Sequence, residues 1–249
     1  MSAPWQVRRL VVCASTEREL DHWLQVQPPP PSPDWRRLVV ARRQRYGRGQ
    51  QGRLWHSPAG GLWLSAAFPW PADPASAAAP ALALALGLVQ ELEALVPASA
   101  ALPLAIKWPN DIVVEGRKLA GLLPRLRLRG GQVRWAQLGL GLNGINRVPR
   151  GAIALAEVLQ RSAGRSPSRF DPRATPRALE ALARRSVERA LGLAREPERV
   201  RRAAERRLQR PAEGLLRDGV RWQIEGLERD GGLRVVDPQG CPAVWRRDF

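Results

Sequence analysis

Lys107 and Lys118 are the only two lysines among 40 basic side chains; every other basic residue is arginine. Arginine offers a planar fork and a permanent charge, whereas lysine offers a compact point charge that fits against a single oxygen. Both lysines fall in one short stretch, in Lys107-Trp108-Pro109-Asn110-Asp111 and Arg117-Lys118-Leu119-Ala120-Gly121. A second group of chemical residues is the loop Gly47-Arg48-Gly49-Gln50-Gln51-Gly52-Arg53-Leu54-Trp55. Its glycines let backbone N–H groups approach an anion, and Arg48 and Arg53 supply charge-assisted forks for phosphate or carboxylate. Trp55, at the rim, could stack on a purine face. The spacing is neither that of a P-loop nor that of the dinucleotide-binding fingerprint. In Gly139-Leu140-Gly141-Leu142-Asn143 glycine alternates with leucine, which lets a ligand or a second backbone come close. The chemistry these residues share is the binding of an anion beside an aromatic ring. Asn110 and Asp111 serve equally well as polar groups that satisfy their own turn.

The elements that must hold these residues read as a mixed α and β pattern. Leu10 to Ala14 reads as a strand, and Ser15-Thr16 with Glu19 as a capping box opening a helix. Five prolines between Pro28 and Pro33 make an extended loop. Leu38 to Ala41 and Leu62 to Phe68 read as strands, and Ala75 to Leu95 as a buried Ala/Leu helix. Leu104 to Val114 turns through Glu115-Gly116 into Lys118 to Arg129, which turns through Gly130-Gly131 into Val133 to Leu142. Thr175 to Leu193 and Pro197 to Gln209 read as amphipathic helices. From Pro211 onward come short strands, Val220 to Leu227, Gly232 to Val236 and Ala243 to Arg246. The expected class is α+β, a mixed or mainly antiparallel sheet in residues 1–210 with a small C-terminal β module in 211–249.

Composition narrows the function classes. A chain of 249 residues with 44% hydrophobic content and ten tryptophans buries a good core. Met1 to Arg9 contain no apolar signal region, and the stretch Ala75 to Val96 is interrupted by Pro80, Gln90, Glu91 and Glu93. Cys13 and Cys241 have no metal or redox spacing, and two histidines, His22 and His56, do not suggest a His-based metal centre. These features read as cytosolic, with no membrane partner. The net charge of +17 invites a nucleic-acid reading, yet the densest arginine run, Arg184 to Arg210, alternates with Ala, Leu and Glu as on a solvated helix face. An acidic protein substrate or a polyphosphate explains the positive potential equally well.

Taken in order, Gly47-Arg48-Gly49 with Gly52-Arg53-x-Trp55, Ser57-Pro58-x-Gly60, Lys107-Trp108-Pro109-Asn110-Asp111, Lys118-Leu119-Ala120-Gly121 and Gly139-x-Gly141-x-Asn143 resemble the biotin–protein ligases. The resemblance runs from about Ser15 to Asn146. It implies a catalytic domain like the class II aminoacyl-tRNA synthetases, an SH3-like C-terminal module, and the monofunctional form without an N-terminal DNA-binding domain. It also implies a reaction in two steps. The biotin carboxylate attacks the α-phosphate of ATP to give biotinyl-5′-AMP, and a lysine of a biotin carboxyl carrier protein, a domain of acetyl-CoA carboxylase, then takes the biotinyl group.

By the same resemblance Ser15, Thr16, Glu17, Gln44, Gly49, Gln50 and Gly121 fall to biotin. Arg48, Arg53 and Lys107 become the catalytic cations that bring two anions together and bind the adenylate; Arg48 and Lys107 also bind biotin, Lys107 at the carboxylate and later at the adenylate phosphate. Trp55, Asn110 and Asn143 contact the adenylate, with Mg²⁺ on the phosphates and Asp111 as its candidate ligand. Two residues depart from the family pattern: Glu17 stands where Asn is usual, and Gln50 where Arg is common. The alternatives are a lipoate–protein ligase, which shares the chemistry, and a degenerate relative that only binds. A homodimer is left open.

Overall fold

The structure is a computed structural model that describes residues 4–97, 100–166 and 170–246. In chain order it runs β1 (Trp5–Cys13), α1 (Thr16–Val26), β2 (Arg36–Gln44), β3 (Gly47–Arg48), β4 (Leu54–Trp55) and β5 (Leu62–Phe68). Next come α2 (Pro80–Glu93), β6 (Leu104–Lys107), β7 (Asp111–Val114), β8 (Arg117–Arg129) and β9 (Gln132–Leu142). After α3 (Leu155–Ser162), α4 (Pro176–Leu193) and α5 (Pro197–Glu205), the chain ends in β10 (Leu215–Arg217), β11 (Val220–Leu227), β12 (Leu233–Val236) and β13 (Pro242–Trp245).

Seven strands form one mixed sheet in the order β1-β2-β5-β9-β8-β7-β6. β1 and β2 are parallel, joined by α1, and the other neighbours are antiparallel. Strand alternation sorts the side chains onto two faces. Leu38 and Ala66 join the large core under α2 and α4, whereas Val39 and Ala67 join a smaller cluster with Leu20, Trp23, Leu24 and Trp35. β5 lies in the middle, so all seven of its residues are buried, and its sequence is an almost unbroken apolar run.

Several boundaries differ from the sequence reading. α2 starts at Pro80, not Ala75, because proline at the first helical turn needs no backbone partner. Ser15 occupies the N-cap of α1, but its side chain makes no capping bond. The Thr16 amide donates instead to Gln44 Oε1, at 2.8 Å, so a side chain of β2 caps the helix. α5 ends at Glu205; the residues beyond it leave the helix and run beside β6. There the Ile106 amide donates to the Arg207 carbonyl at 2.7 Å and the Gln209 amide to the Ile106 carbonyl at 2.9 Å. That strap covers the edge of the large sheet. α3, β10 and the β3–β4 hairpin were not foreseen.

The C-terminal strands form their own antiparallel sheet in the order β10-β11-β12-β13. Leu227, Leu233 and Val235 belong to the large core, so this sheet and the seven-stranded one share an interior. Trp108 Nε1 donates to the Gly231 carbonyl at 2.9 Å, and Glu205 accepts from the Leu227 amide at 2.8 Å. No helix among the described residues is long and apolar enough to cross a membrane.

α2 and α4 meet where Gly87 faces Ser186; a Cβ at Gly87 would lie 2.4 Å from the Ser186 carbonyl oxygen. One turn on, Glu91 is buried and accepts from Arg185 Nε at 2.6 Å and from Arg189 Nε. Burial alone would raise the Glu91 carboxyl, but the hydrogen bonds from Arg189 and Arg185 outweigh it and hold it below its ordinary value. A carboxylate depressed in the folded state contributes stability at neutral pH, which fades as pH falls through the lowered value. Glu91→Gln is therefore expected to lose about 2 kcal/mol at pH 7 in urea unfolding. The gap from wild type should close only below the ordinary carboxyl value of 4.5. A constant gap across that range would contradict the ion-pair account.

Candidate active site

The site is a cavity of about 490 Å³ over the middle of the large sheet, roofed by the β3–β4 hairpin. Its floor is bare because β8 and β9 carry Gly121 and Gly141 directly opposite each other. A Cβ at Gly141 would lie 2.4 Å from the Trp55 ring, and one at Gly121 would lie 2.9 Å from it. What the glycines admit in this structure is therefore the Trp55 indole, which also meets Trp63 edge-on at a centroid distance of 6.4 Å.

The hairpin that delivers Trp55 is held by its own backbone. Gly47 pairs with Trp55 and Arg48 with Leu54. The Gly49 amide donates to the Arg53 carbonyl at 2.7 Å, and Gln51 and Gly52 both take positive φ, +55° and +72°. Gly52 suits that turn without strain; Gln51 adopts it as a non-glycine residue. The turn sets Arg48, Gly49, Gln50 and Arg53 along the cavity wall.

At the opposite wall a buried polar relay begins at α1. Gln44 Oε1 accepts from both the amide and the hydroxyl of Thr16, and Gln44 Nε2 donates to Ser57 Oγ at 2.9 Å. Ser57 Oγ in turn donates to the Trp55 carbonyl at 3.1 Å, and Thr16 Oγ1 lies 2.9 Å from Ser65 Oγ. These bonds fix the orientation of the Gln44 amide. Glu17, on the same wall, is engaged by the Arg125 guanidinium of β8. Cys13 lies just before this wall; burial, with the nearby Glu19 carboxylate, pushes its thiol up to about 11, so it is no nucleophile at neutral pH.

The lysine of the cavity is Lys118. Its Nζ lies 2.7 Å from Asp111 Oδ1 and 4.7 Å from the Trp55 ring centroid, an ammonium held by a carboxylate and an aromatic face. Its backbone is fixed as firmly: the Lys118 amide donates to the Gly151 carbonyl at 2.9 Å and its carbonyl accepts from Ile153 at 3.0 Å. Asn143 is buried, donates to the Lys118 carbonyl at 3.3 Å and accepts from Asn146 at 3.1 Å. Asn110 is also buried and donates to the Leu122 carbonyl. Both asparagines thus clamp strand ends beside the cavity.

Ser15, Thr16, Glu17, Gln44, Arg48, Gly49, Gln50, Arg53, Trp55, Asn110, Asp111, Gly121 and Asn143 all line this one cavity, as a single site requires. Lys107 does not line it. It is exposed at the end of β6, the outermost strand, one strand further out than Asp111, or about 5 Å. Sequence reasoning singled out Lys118 but gave it no role, and it gave none to His56, Ser65 or Ala152, which also line the cavity. Among the described residues no group of three or more His, Cys, Asp or Glu side chains gathers to hold a metal ion.

The arrangement concentrates positive charge from Arg48, Arg53 and Lys118 around a pocket with an aromatic wall and a polar far end. That combination suits a substrate with an acidic group at one end and amide-like donors and acceptors at the other. The large sheet, its helices and the C-terminal sheet match solved structures along nearly the whole chain. A biotin protein ligase from Leishmania major, crystallised with biotinyl-5-AMP, superposes with a TM-score of 0.64 at 21% identity, covering 98% of this chain and 100% of that one. One from Aquifex aeolicus, in complex with biotin and ATP, gives 0.63 at 23% identity, covering 96% and 94%. At such identities the likeness is one of fold.

In sequence, the bifunctional ligase/repressor BirA of Bacillus spizizenii is 38% identical over 109 residues, 43% of this chain and 32% of that protein. A biotin--[acetyl-CoA-carboxylase] ligase of Paracoccus denitrificans is 36% identical over 105 residues, 42% of this chain and 43% of its own. The matched stretches thus span less than half of those relatives. Residues 15–143, more than half of the chain and nearly all of the cavity wall, match the model of one family. The chain belongs to the biotin/lipoate A/B protein ligase family.

Proposed function

We propose that this protein activates biotin with ATP to biotinyl-5′-AMP and transfers the biotinyl group to a lysine of a biotin carboxyl carrier domain, as in an acetyl-CoA carboxylase. The observation that carries this reading is the Lys118 ammonium, held 2.7 Å from Asp111 inside the cavity that Arg48 and Arg53 overhang. In the first step a carboxylate oxygen of biotin bonds to the α-phosphorus of ATP, and pyrophosphate leaves with the electrons of the broken P–O bond. Two anions must meet, so fixed cations dominate the rate. Lys118 takes the carboxylate and then the adenylate phosphate, the part the sequence reading gave to Lys107. Arg48 and Arg53 carry the nucleotide phosphates.

The Thr16–Gln44–Ser57 relay supports the orientation of a ureido ring, which needs donors and acceptors side by side. Glu17, in the position where Asn is usual, is neutralised by Arg125, so it presents an acceptor at the ureido end without an unpaired charge. Trp55 offers its ring to the adenine, and Asn143 acts by fixing Lys118. Asp111 is engaged by Lys118, and the donor set is too sparse for a resident cage, which fits Mg²⁺ arriving on the nucleotide as part of the substrate. In this reading the seven-stranded part is a synthetase-like catalytic domain, residues 211–249 are the SH3-like module, and the setting is cytoplasmic.

Biotin-dependent exchange of labelled pyrophosphate into ATP tests the first step. The wild type is expected to exchange with biotin and not with lipoate. Lys118→Ala should lower the exchange about 10²- to 10³-fold, while Lys107→Ala keeps most of it. The opposite ranking of the two lysines would overturn the assignment. Gln50→Arg is expected to slow dissociation of biotinyl-5′-AMP about tenfold, the effect of one added charge-assisted hydrogen bond; stopped-flow release of the adenylate measures it.

A further inference from the structure

A second groove, of about 1210 Å³, is larger than the active-site cavity and shares no lining residue with it. It runs between the first half of α4 and the strands β1 and β2. Alternation along β2 puts Val40 and Arg42 on the face of Leu38, which lies under α4. The cavity, which takes in the start of α1, lies on the other face of the sheet.

Both walls of the groove carry arginine. Arg9 and Arg42 stand on the strands, and Arg177, Arg184 and Arg185 on the helix, where steps of seven and eight residues return to one face after two turns. The five guanidinium groups share the lining with one carboxylate, Glu180, which is taken by Arg9 at 2.7 Å and by Arg184. Arg185 pairs outside the groove, with Glu91 at 2.6 Å. Arg42 and Arg177 are exposed and engage no carboxylate among the described residues. On α5, by contrast, Arg199, Arg201 and Arg202 are matched by Glu196 and Glu198. The rest of the groove lining is small or apolar, Val40, Ile145 and Ala181 among it.

An apolar strip between two arginine rims is complementary to a rod with an apolar stripe between two acidic flanks. An acidic amphipathic helix has that shape and that charge. The groove has the volume of roughly three helical turns, taken as a rod about 10 Å across. Single-stranded nucleic acid stacks its bases on aromatic rings, and no aromatic side chain lines the groove. A bilayer surface is flat and would meet the rims without filling the strip between them. We propose that this groove docks an acidic amphipathic helix of a partner protein, on the face of the sheet away from the reacting groups. The charges at the rims steer that helix in, so its binding weakens as salt rises.

Fluorescence polarisation of a labelled synthetic peptide tests this. The peptide is a helix of about four turns with leucine at every third or fourth position and glutamate on both flanks. It is expected to bind the wild type in saturating biotin and ATP, and a scrambled peptide of the same composition at least tenfold more weakly. Arg42→Glu with Arg177→Glu, and separately Ala181→Trp, should each weaken binding about tenfold and leave the melting temperature unchanged. All three positions are exposed, so the fold tolerates these changes. Equal binding of the scrambled peptide, displacement by biotin and ATP, or full binding by both variants would each overturn the proposal. A dimer in sedimentation equilibrium that the same variants break would assign the groove to a second copy instead. Tighter binding of phosphatidylglycerol vesicles or of a short RNA, lost in the same variants, would likewise overturn the helix as its occupant.

Discussion

The structure turns on one ammonium group, Lys118, held between the Asp111 carboxylate and the face of Trp55. A cation in a concave site keeps its position only if something of opposite polarity faces it, and its place decides where an incoming anion settles. The carboxylate fixes it from β7, and the ring covers it from the hairpin. Two facing glycines are the condition for this, since any Cβ at Gly141 would sit within 2.4 Å of the indole. The site thus depends on what the sheet lacks at two positions as much as on the charged groups above it.

The rest of the fold keeps that floor rigid. β5, β9 and β8 lie in the middle of the sheet and are covered by two separate clusters, so the strands under the cavity have little freedom to shift. Packed interiors resist small displacements because each methylene already fills its space. The strap after α5 closes the β6 edge, and the shared core ties the C-terminal sheet to it. Much of the positive charge is absorbed locally: Arg201 and Arg202 draw the Glu198 carboxyl down to about 2, and Arg9 and Arg184 share Glu180. The unusual charge of the chain is therefore partly a property of its helices and only partly of its cavity.

Sequence alone made most of the cavity wall legible, because motif residues with special backbone or charge requirements stand out: the loop glycines, Arg48, Arg53, Trp55 and the Gly-x-Gly-x-Asn strand. It gave the catalytic part to Lys107 and none to Lys118. Spacing shows that Lys107 and Lys118 lie on one meander, but not which strand of that meander is outermost, and strand order places Lys107 beyond the cavity. Ser15 and Glu19 spell a capping box, yet the cap comes from Gln44, a partner 28 residues away that no local pattern reveals. α3 escaped notice because eight residues are too few to show a period, and the first half of β1, before Leu10, because its arginines hid an extended strand on the sheet edge.

The most direct test of the central claim is a crystal structure of the protein grown with biotin and ATP. The account predicts an adenylate phosphate or biotin carboxylate oxygen within hydrogen-bond distance of Lys118 Nζ, the ureido ring beside Thr16 and Gln44, and the Trp55 ring against the nucleobase. An anion bound instead by Lys107, with Lys118 still closed onto Asp111, would contradict it.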